Sequence, residues 1–189
     1  MFDLDEYFGR VAAKQMWGNN WPFPYECTHS PEDIWEHLYF MRGLAEQCSH
    51  ITEFGVRDGY STLAWLTAKP KVVRCYDVAA LEPCIEQVYA EYAQANGVDF
   101  QFVQADDLTV EIEITALLFI DTVHKPDHLR KELSQHAQKA RKYIVMHDTV
   151  SCPSLWNAIN PFLAKFSNRW RVEHTLANCN GLTVLKRFE

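Results

Sequence analysis

The sequence predicts an α/β fold in which a mostly parallel sheet is covered by helices on both faces. Three observations lead there. From residue 50 onward short β-branched or aromatic strands alternate with helical segments, the loop after the first strand bears two glycines just ahead of a helix, and the chain closes on two strands joined by turn-forming residues. Such alternation is the pattern of a parallel sheet, and a closing hairpin adds a last strand that runs against the others.

Residues 3–16 place apolar side chains at helical spacing and predict a first helix. The stretch after it (Trp17, Trp21, Pro22, Phe23, Pro24, Tyr25) is broken by prolines and reads as loop. So many large rings need an apolar surface to bury against, which makes this loop either a lid over a ligand cleft or a satellite core or dimer contact. Ser30 then suits an N-cap, Pro31 the first helical position, and Glu32 and Asp33 the positive end of the dipole, predicting one helix to about Gln47.

Beyond it the spacing predicts strands at 50–54, 71–76, 100–104, 116–120 and 142–146, with helices at 60–68, 81–96, 126–140 and 154–166. Strands at 170–176 and 182–188 flank Asn178, Cys179, Asn180 and Gly181, which is hairpin chemistry. The expected organisation is an N-terminal helical cap or lid, residues 1–49, on a sheet domain, residues 50–189. At 189 residues the two form one compact domain, since two independent cores would both be undersized.

Composition excludes several classes. Apolar residues make up 48% and charged residues 23%, ordinary for a globular chain. No apolar run approaches the ~18 residues of a membrane span, and the acidic first residues do not resemble a signal peptide, so the expected location is the cytoplasm. Six scattered cysteines, without metal-finger spacing, read as reduced thiols. A net charge of −7, relieved only by short basic clusters such as 139–142, disfavours nucleic acid as a partner.

The chemistry concentrates where strands are expected to end. Glu53-Phe54-Gly55-Val56-Arg57-Asp58-Gly59-Tyr60-Ser61-Thr62 spans the first strand end and the next helix start. Glycines there permit a tight turn and close approach of a ligand, and the helix N-terminus offers free N–H groups. An ordinary strand-to-helix loop is the plain alternative. Asp77 follows the second strand, about 20 residues on, where a carboxylate can accept ribose hydroxyls. Asp106 and Asp107 follow the third, where one of the pair could meet an adenine amino group.

These residues resemble the class I S-adenosylmethionine-dependent methyltransferases, which share an acidic-x-Gly-x-x-x-Gly motif, an acidic residue after strand two, an Asp after strand three and a terminal hairpin. The resemblance covers about residues 50–188. It implies a Rossmann-like methyltransferase fold with a seven-stranded mixed sheet whose last strand is antiparallel. It also implies S-adenosylmethionine as cofactor, bound by Glu53, Gly55, Gly59, Ser61 and Thr62, with Asp77 on the ribose and Asp106 on the adenine edge.

A second stretch, Phe119-Ile120-Asp121-Thr122-Val123-His124, then a helix with Glu132 and Leu133, then Tyr143-Ile144-Val145-Met146-His147-Asp148-Thr149, is similar to the small-molecule O-methyltransferases and the cephalosporin-hydroxylase-like group. By that likeness Asp121 and Asp148 are the catalytic carboxylates, with His124 the base that takes a proton from an acceptor hydroxyl. A hard divalent cation prefers carboxylate oxygens, and an imidazole titrates near neutral pH. The implied Mg²⁺ ligands are Asp121, Asp148 and Thr149. Thr149 stands where the family commonly has Asn or Asp, and hydroxyl is a weak donor for that ion, while His147 would favour a softer metal. The plain alternative is that Asp121 and Asp148 cap helices and His124 is a surface residue.

The expected reaction is methyl transfer to a hydroxyl of a small molecule, by an enzyme that is a monomer or a homodimer. Two further readings stay open. One is a non-catalytic S-adenosylmethionine- or nucleotide-binding protein on the same fold. The other is a nicotinamide-dependent oxidoreductase, which would continue its parallel strands instead of ending on a hairpin.

Overall fold

The computed structural model describes residues 3–14 and 31–188. The aromatic loop, the proposed Ser30 cap and the end of the first predicted helix lie outside the described residues. In chain order the elements are α1 (Leu4–Ala12), α2 (Leu38–Ala45), β1 (His50–Phe54), α3 (Tyr60–Thr67), β2 (Val72–Asp77), α4 (Pro83–Asn96), β3 (Asp99–Gln104) and β4 (Thr115–Ile120). They continue with α5 (Pro126–His136), β5 (Ala140–His147), α6 (Trp156–Lys165), β6 (Trp170–Leu176) and β7 (Leu182–Arg187).

The seven strands form one sheet in the order β3-β2-β1-β4-β5-β7-β6. The strands from β1 to β5 pair in parallel, and β7 runs antiparallel to both of its neighbours, β5 and β6. The predicted mixed sheet with its last strand reversed is therefore what forms. Because strand side chains alternate in direction, β4 feeds two cores: Leu117 and Phe119 face the layer of α1 to α4, whereas Leu118 and Ile120 face α5 and α6. Leu4, Phe8, Leu38 and Met41 belong to the first core together with Ile51 and Leu63, so the N-terminal helices and the sheet share one interior.

β3 stands at the sheet edge and β4 near its centre, yet no helix joins them. Residues 105–114 cross through a turn at 107–109 and irregular chain, and bury Ile112 in the second core, which covers that face without a helix. The crossover brings Asp106 and Asp107 to the carboxyl ends of the strands.

The helix expected over 31–47 is broken. Short 3₁₀ turns at Pro31–Asp33 and Trp35–His37 precede α2. The cause is tertiary: the Asp33 carbonyl, which a continuous helix would give to the amide four residues on, instead accepts from Nε2 of His147 at 3.0 Å. The Asp33 carboxylate is taken by Arg57 at 2.7 Å.

Candidate active site

A cleft of about 680 Å³ opens at the carboxyl ends of β1, β2, β3 and β4, where parallel α/β sheets place their ligands. Gly55, Ser61, Asp77, Asp106, Asp121 and Asp148 line it, with His124 beside them. The predicted residues thus converge from loops scattered along the chain.

The glycines of the first loop are required by their surroundings. Gly55 has φ +81°, and a Cβ there would lie 2.0 Å from the backbone oxygen of Asp121. Gly59, at φ +79°, caps α3 and would push a Cβ to 2.8 Å from the Tyr89 ring, whose hydroxyl donates to the Gly59 carbonyl at 2.8 Å. Both conformations belong to the left-handed region that costs other residues energy.

Three of the expected contact residues, Glu53, Gly59 and Thr62, do not line the cleft. β1 alternation turns Glu53 toward α3, where it is fully buried and accepts from Thr62 Oγ1 (2.5 Å), Trp65 Nε1 (3.1 Å) and Cys75 Sγ (3.0 Å). Burial pushes its carboxyl up to about 7, against the hydrogen bonds from Cys75, Ser61, Thr62 and Trp65. These side chains fasten β1 to α3 behind the loop and set the loop's position. Asp77, by contrast, faces the loop. Its Oδ2 accepts from the amides of Val56 (2.7 Å) and Arg57 (3.0 Å), and its Oδ1 from that of Ala79 (2.8 Å). Asp106 accepts from the Leu108 amide at 2.9 Å in a side-chain turn, and stands exposed on the opposite bank.

At the far end two carboxylates and two imidazoles form a compact cluster. His124 Nε2 lies 3.3 Å from Asp121 Oδ1 and 3.0 Å from Asp148 Oδ2. His147 Nδ1 lies 3.4 Å from Asp121 Oδ2 and 3.2 Å from Asp148 Oδ2. The Nε2–H of His147 donates to the carbonyls of Asp33 and Cys179, each at 3.0 Å. A ring that gives one proton to carbonyls and turns its other nitrogen to carboxylates is doubly protonated in the metal-free protein. Burial works against that charge, but Asp121 and Asp148 outweigh it and hold His147 at about 10.

The same acids, Asp121 first, raise His124 to about 10. Burial favours neutral Asp121 and Asp148, yet the hydrogen bonds from His124 and His147, joined by Ser151 on Asp148, hold both below the usual carboxylate range. Asp148 has φ +58°, a twist that aims its carboxylate back into the cluster just as β5 ends. Two acids and two cations cancel, so the cluster is neutral without further ions.

Thr149 does not complete a cation site with Asp121 and Asp148. It is buried, with its hydroxyl 2.9 Å from that of Thr183 on β7, because the turn after β5 sends it to the sheet side. His147 occupies the position expected of the third ligand: Asp121, His147 and Asp148 each offer one donor atom within 4.8 Å of the others. Its Nε2 proton, pinned on two carbonyls, fixes the tautomer that would leave Nδ1 free to ligate. Two oxygens and one nitrogen form a softer set than Mg²⁺ prefers, and fit Mn²⁺, Fe²⁺ or Zn²⁺ as well. Asp33 and Asn180 also line the cleft. The sequence marked Asp33 only for a helix start and Asn180 only for the hairpin turn, since neither adjoins a strand end that parallel strands bring to the cleft.

No protein-family profile and no curated protein matches the sequence. Solved structures do match its shape. The O-methyltransferase NovP superimposes with a TM-score of 0.70 at 15% identity, over 99% of this chain and 100% of that one. The O-methyltransferase from Bacillus cereus in complex with SAH gives 0.59 at 17% identity, over 100% and 92% of the two chains. The SAH-bound methyltransferase PaMTH1 of Podospora anserina gives 0.54 at 18% identity, over 100% and 89%. The fold is that of the class I methyltransferases. Among the described residues, no helix is long and apolar enough to cross a membrane.

Proposed function

We propose that this protein is an enzyme that transfers the methyl group of S-adenosylmethionine to a hydroxyl of a small molecule. The observation that carries the reading is the single cleft that joins the Gly55 loop, Asp77 and Asp106 at one end to Asp121, His124 and Asp148 at the other. Its volume is that of an ordinary small-ligand site. The fold it shares with SAH-bound proteins supports the choice of cofactor.

Each residue has a task in this reading. The loop at Gly55, held close on the Asp121 backbone, and the start of α3 cradle the methionine end. Asp77 spends three acceptor sites on loop amides and keeps capacity for a ribose hydroxyl, an ionised carboxylate having about four. Asp106 takes the adenine amino group. The sulfonium, when bound, supplies an already activated methyl. What the protein must add is alignment and a nucleophilic oxygen.

His124 is the base in this reading, and its partners control when it can act. While Asp121 and Asp148 accept from it, the imidazole keeps its proton at neutral pH. A divalent cation fits Asp121, Asp148 and Nδ1 of His147, and when bound it supplies a lowered pKa to a coordinated hydroxyl. Asp121 and Asp148 engaged in that way would accept less from His124, whose ring would return toward its ordinary range. The hydrogen bonds from His147 to Asp33 and Cys179 keep this end of the cleft rigid through that change.

A nicotinamide-dependent oxidoreductase is disfavoured by the reversed β7, since the dinucleotide fold continues in parallel. Calorimetry with S-adenosylmethionine, S-adenosylhomocysteine and NAD tests the reading. Binding of the first two is expected, and binding of NAD alone would overturn it. A panel of hydroxylated small molecules, read by methyl transfer, then tests the acceptor class.

A further inference from the structure

A second cluster stands apart in its residues from the Asp121 group. His128 and Glu132 are one turn apart on α5 and leave the same face of the helix. Asp107 meets them from the chain after β3. His128 Nε2 lies 3.3 Å from Asp107 Oδ1 and 3.6 Å from Glu132 Oε1. One donor atom from each of the three residues falls within 4.8 Å of the other two. Donors held about 2.0–2.2 Å from a tetrahedral cation stand roughly 3.3–3.6 Å from one another, and the two separations from His128 fall in that range.

An independent observation points to an occupant. Asp107 Oδ2 and Glu132 Oε2 are buried and receive no donor from any other residue, and burial with the neighbouring Asp107 pushes the Glu132 carboxyl up to about 8. Glu132 is fully buried and Asp107 nearly so. Folded proteins rarely leave such oxygens unsatisfied, because their lost hydration has to be replaced by a proton, a donor or a metal. Both residues are also anchored from outside the cluster. Thr122 Oγ1 donates to Glu132 Oε1 at 2.6 Å, and His136 Nε2 donates to the Asp107 carbonyl at 2.9 Å. Asp107 and His128 line the cleft, which gives an ion a path in.

We propose that Asp107, His128 and Glu132 form a divalent-cation site distinct from the Asp121, His147 and Asp148 set. Two carboxylates and one imidazole on a short, rigid spacing suit Zn²⁺, Mn²⁺ or Fe²⁺ better than Ca²⁺, which takes six to eight oxygens. The site stands on α5 and the loop that replaces a β3–β4 helix, so its ion would tie that loop to the helix. This assignment does not depend on the methyl-transfer reading.

The test titrates Mn²⁺ and Zn²⁺ alone into the full chain, followed by calorimetry and by electron paramagnetic resonance for Mn²⁺. An Asp121→Asn/Asp148→Asn variant removes the first set and is expected to retain one ion per chain. Adding His128→Asn to that variant is expected to weaken the remaining site at least tenfold, as is adding Glu132→Gln. His128 is partly exposed and its replacement should fold even where that of buried Glu132 does not, which thermal unfolding checks. An Asp121→Asn/Asp148→Asn protein that binds no ion, or one whose affinity is indifferent to His128→Asn, would overturn the proposal and leave a proton shared between the two carboxyls as the occupant.

Discussion

Gly55 and Asp121 meet backbone to backbone: the Gly55 α-carbon packs so tightly on the Asp121 carbonyl that a Cβ would stand 2.0 Å from its oxygen. The Asp121 amide also donates to the Phe54 carbonyl at 2.9 Å. The loop lining the cleft and the strand end bearing the acid are one rigid unit. Gly55→Ala is expected to lower stability by about 2–4 kcal/mol, combining the left-handed backbone with a clash that neither backbone can relieve cheaply. Urea unfolding measures the loss, and calorimetry should find S-adenosylmethionine binding abolished. A variant with wild-type stability would show that the two segments are not in contact.

Asp77 has two jobs that a pair of substitutions separates. Asp77→Ala strands the amide of buried Val56 and removes the proposed ribose acceptor, so it should cost about 1–3 kcal/mol in stability and a similar amount in S-adenosylmethionine affinity. Asp77→Asn keeps one acceptor oxygen for the loop and should recover stability more than affinity. Unchanged affinity in both variants would remove Asp77 from the ribose.

The acid–imidazole cluster makes stability depend on alkaline pH in the metal-free protein. His124 and His147 titrate near 10 when folded, against an ordinary value near 6.5. Groups raised in this way contribute stability that is fully present below about pH 6.5 and is lost as pH rises through 10. The melting temperature should therefore fall between pH 7 and 10, and Asp148→Asn should flatten the fall while moving the His124 proton resonance toward a normal midpoint. A flat profile in the wild-type protein would mean the imidazoles are not paired.

If His124 takes the proton from the acceptor, His124→Ala should reduce turnover roughly 10²–10⁴-fold and leave S-adenosylmethionine binding intact, because the proposed cofactor contacts lie at the other end of the cleft. Turnover at the wild-type rate would remove His124 from the chemistry.

Cation binding at Asp121, His147 and Asp148 should release protons at pH 7, since His147 must lose its Nδ1 proton before it can ligate. Calorimetric titration of Mn²⁺ in buffers of different ionisation enthalpy counts them. Asp121→Asn should lower the number of protons released. Binding without proton release would exclude His147 as a ligand.

Local pattern was enough to make most of the architecture legible. Strand alternation, helix period and the turn residues 178–181 depend on neighbours along the chain, so the order of elements and the reversed last strand could be read from residues such as Gly55, Gly59 and Gly181. The same locality explains why Asp77, Asp106, Asp121 and Asp148 were recognisable: each follows a strand, and parallel strands bring their carboxyl ends to one edge.

The succession of elements, and the sheet edge at which the acids gather, follow from pattern along the chain. Which way each side chain faces, and which distant partner it finds, depends on the packed fold. Alternation in β1 turns Glu53 away from the ligand, the turn after β5 sends Thr149 to Thr183, and a bond from His147 breaks the helix at Asp33. The pairing of Asp107 with His128 and Glu132 likewise joins residues from separate elements. Periodicity records which face of an element is apolar, whereas hydrogen bonds between distant residues and the pKa values they set exist only once the chain has closed on itself.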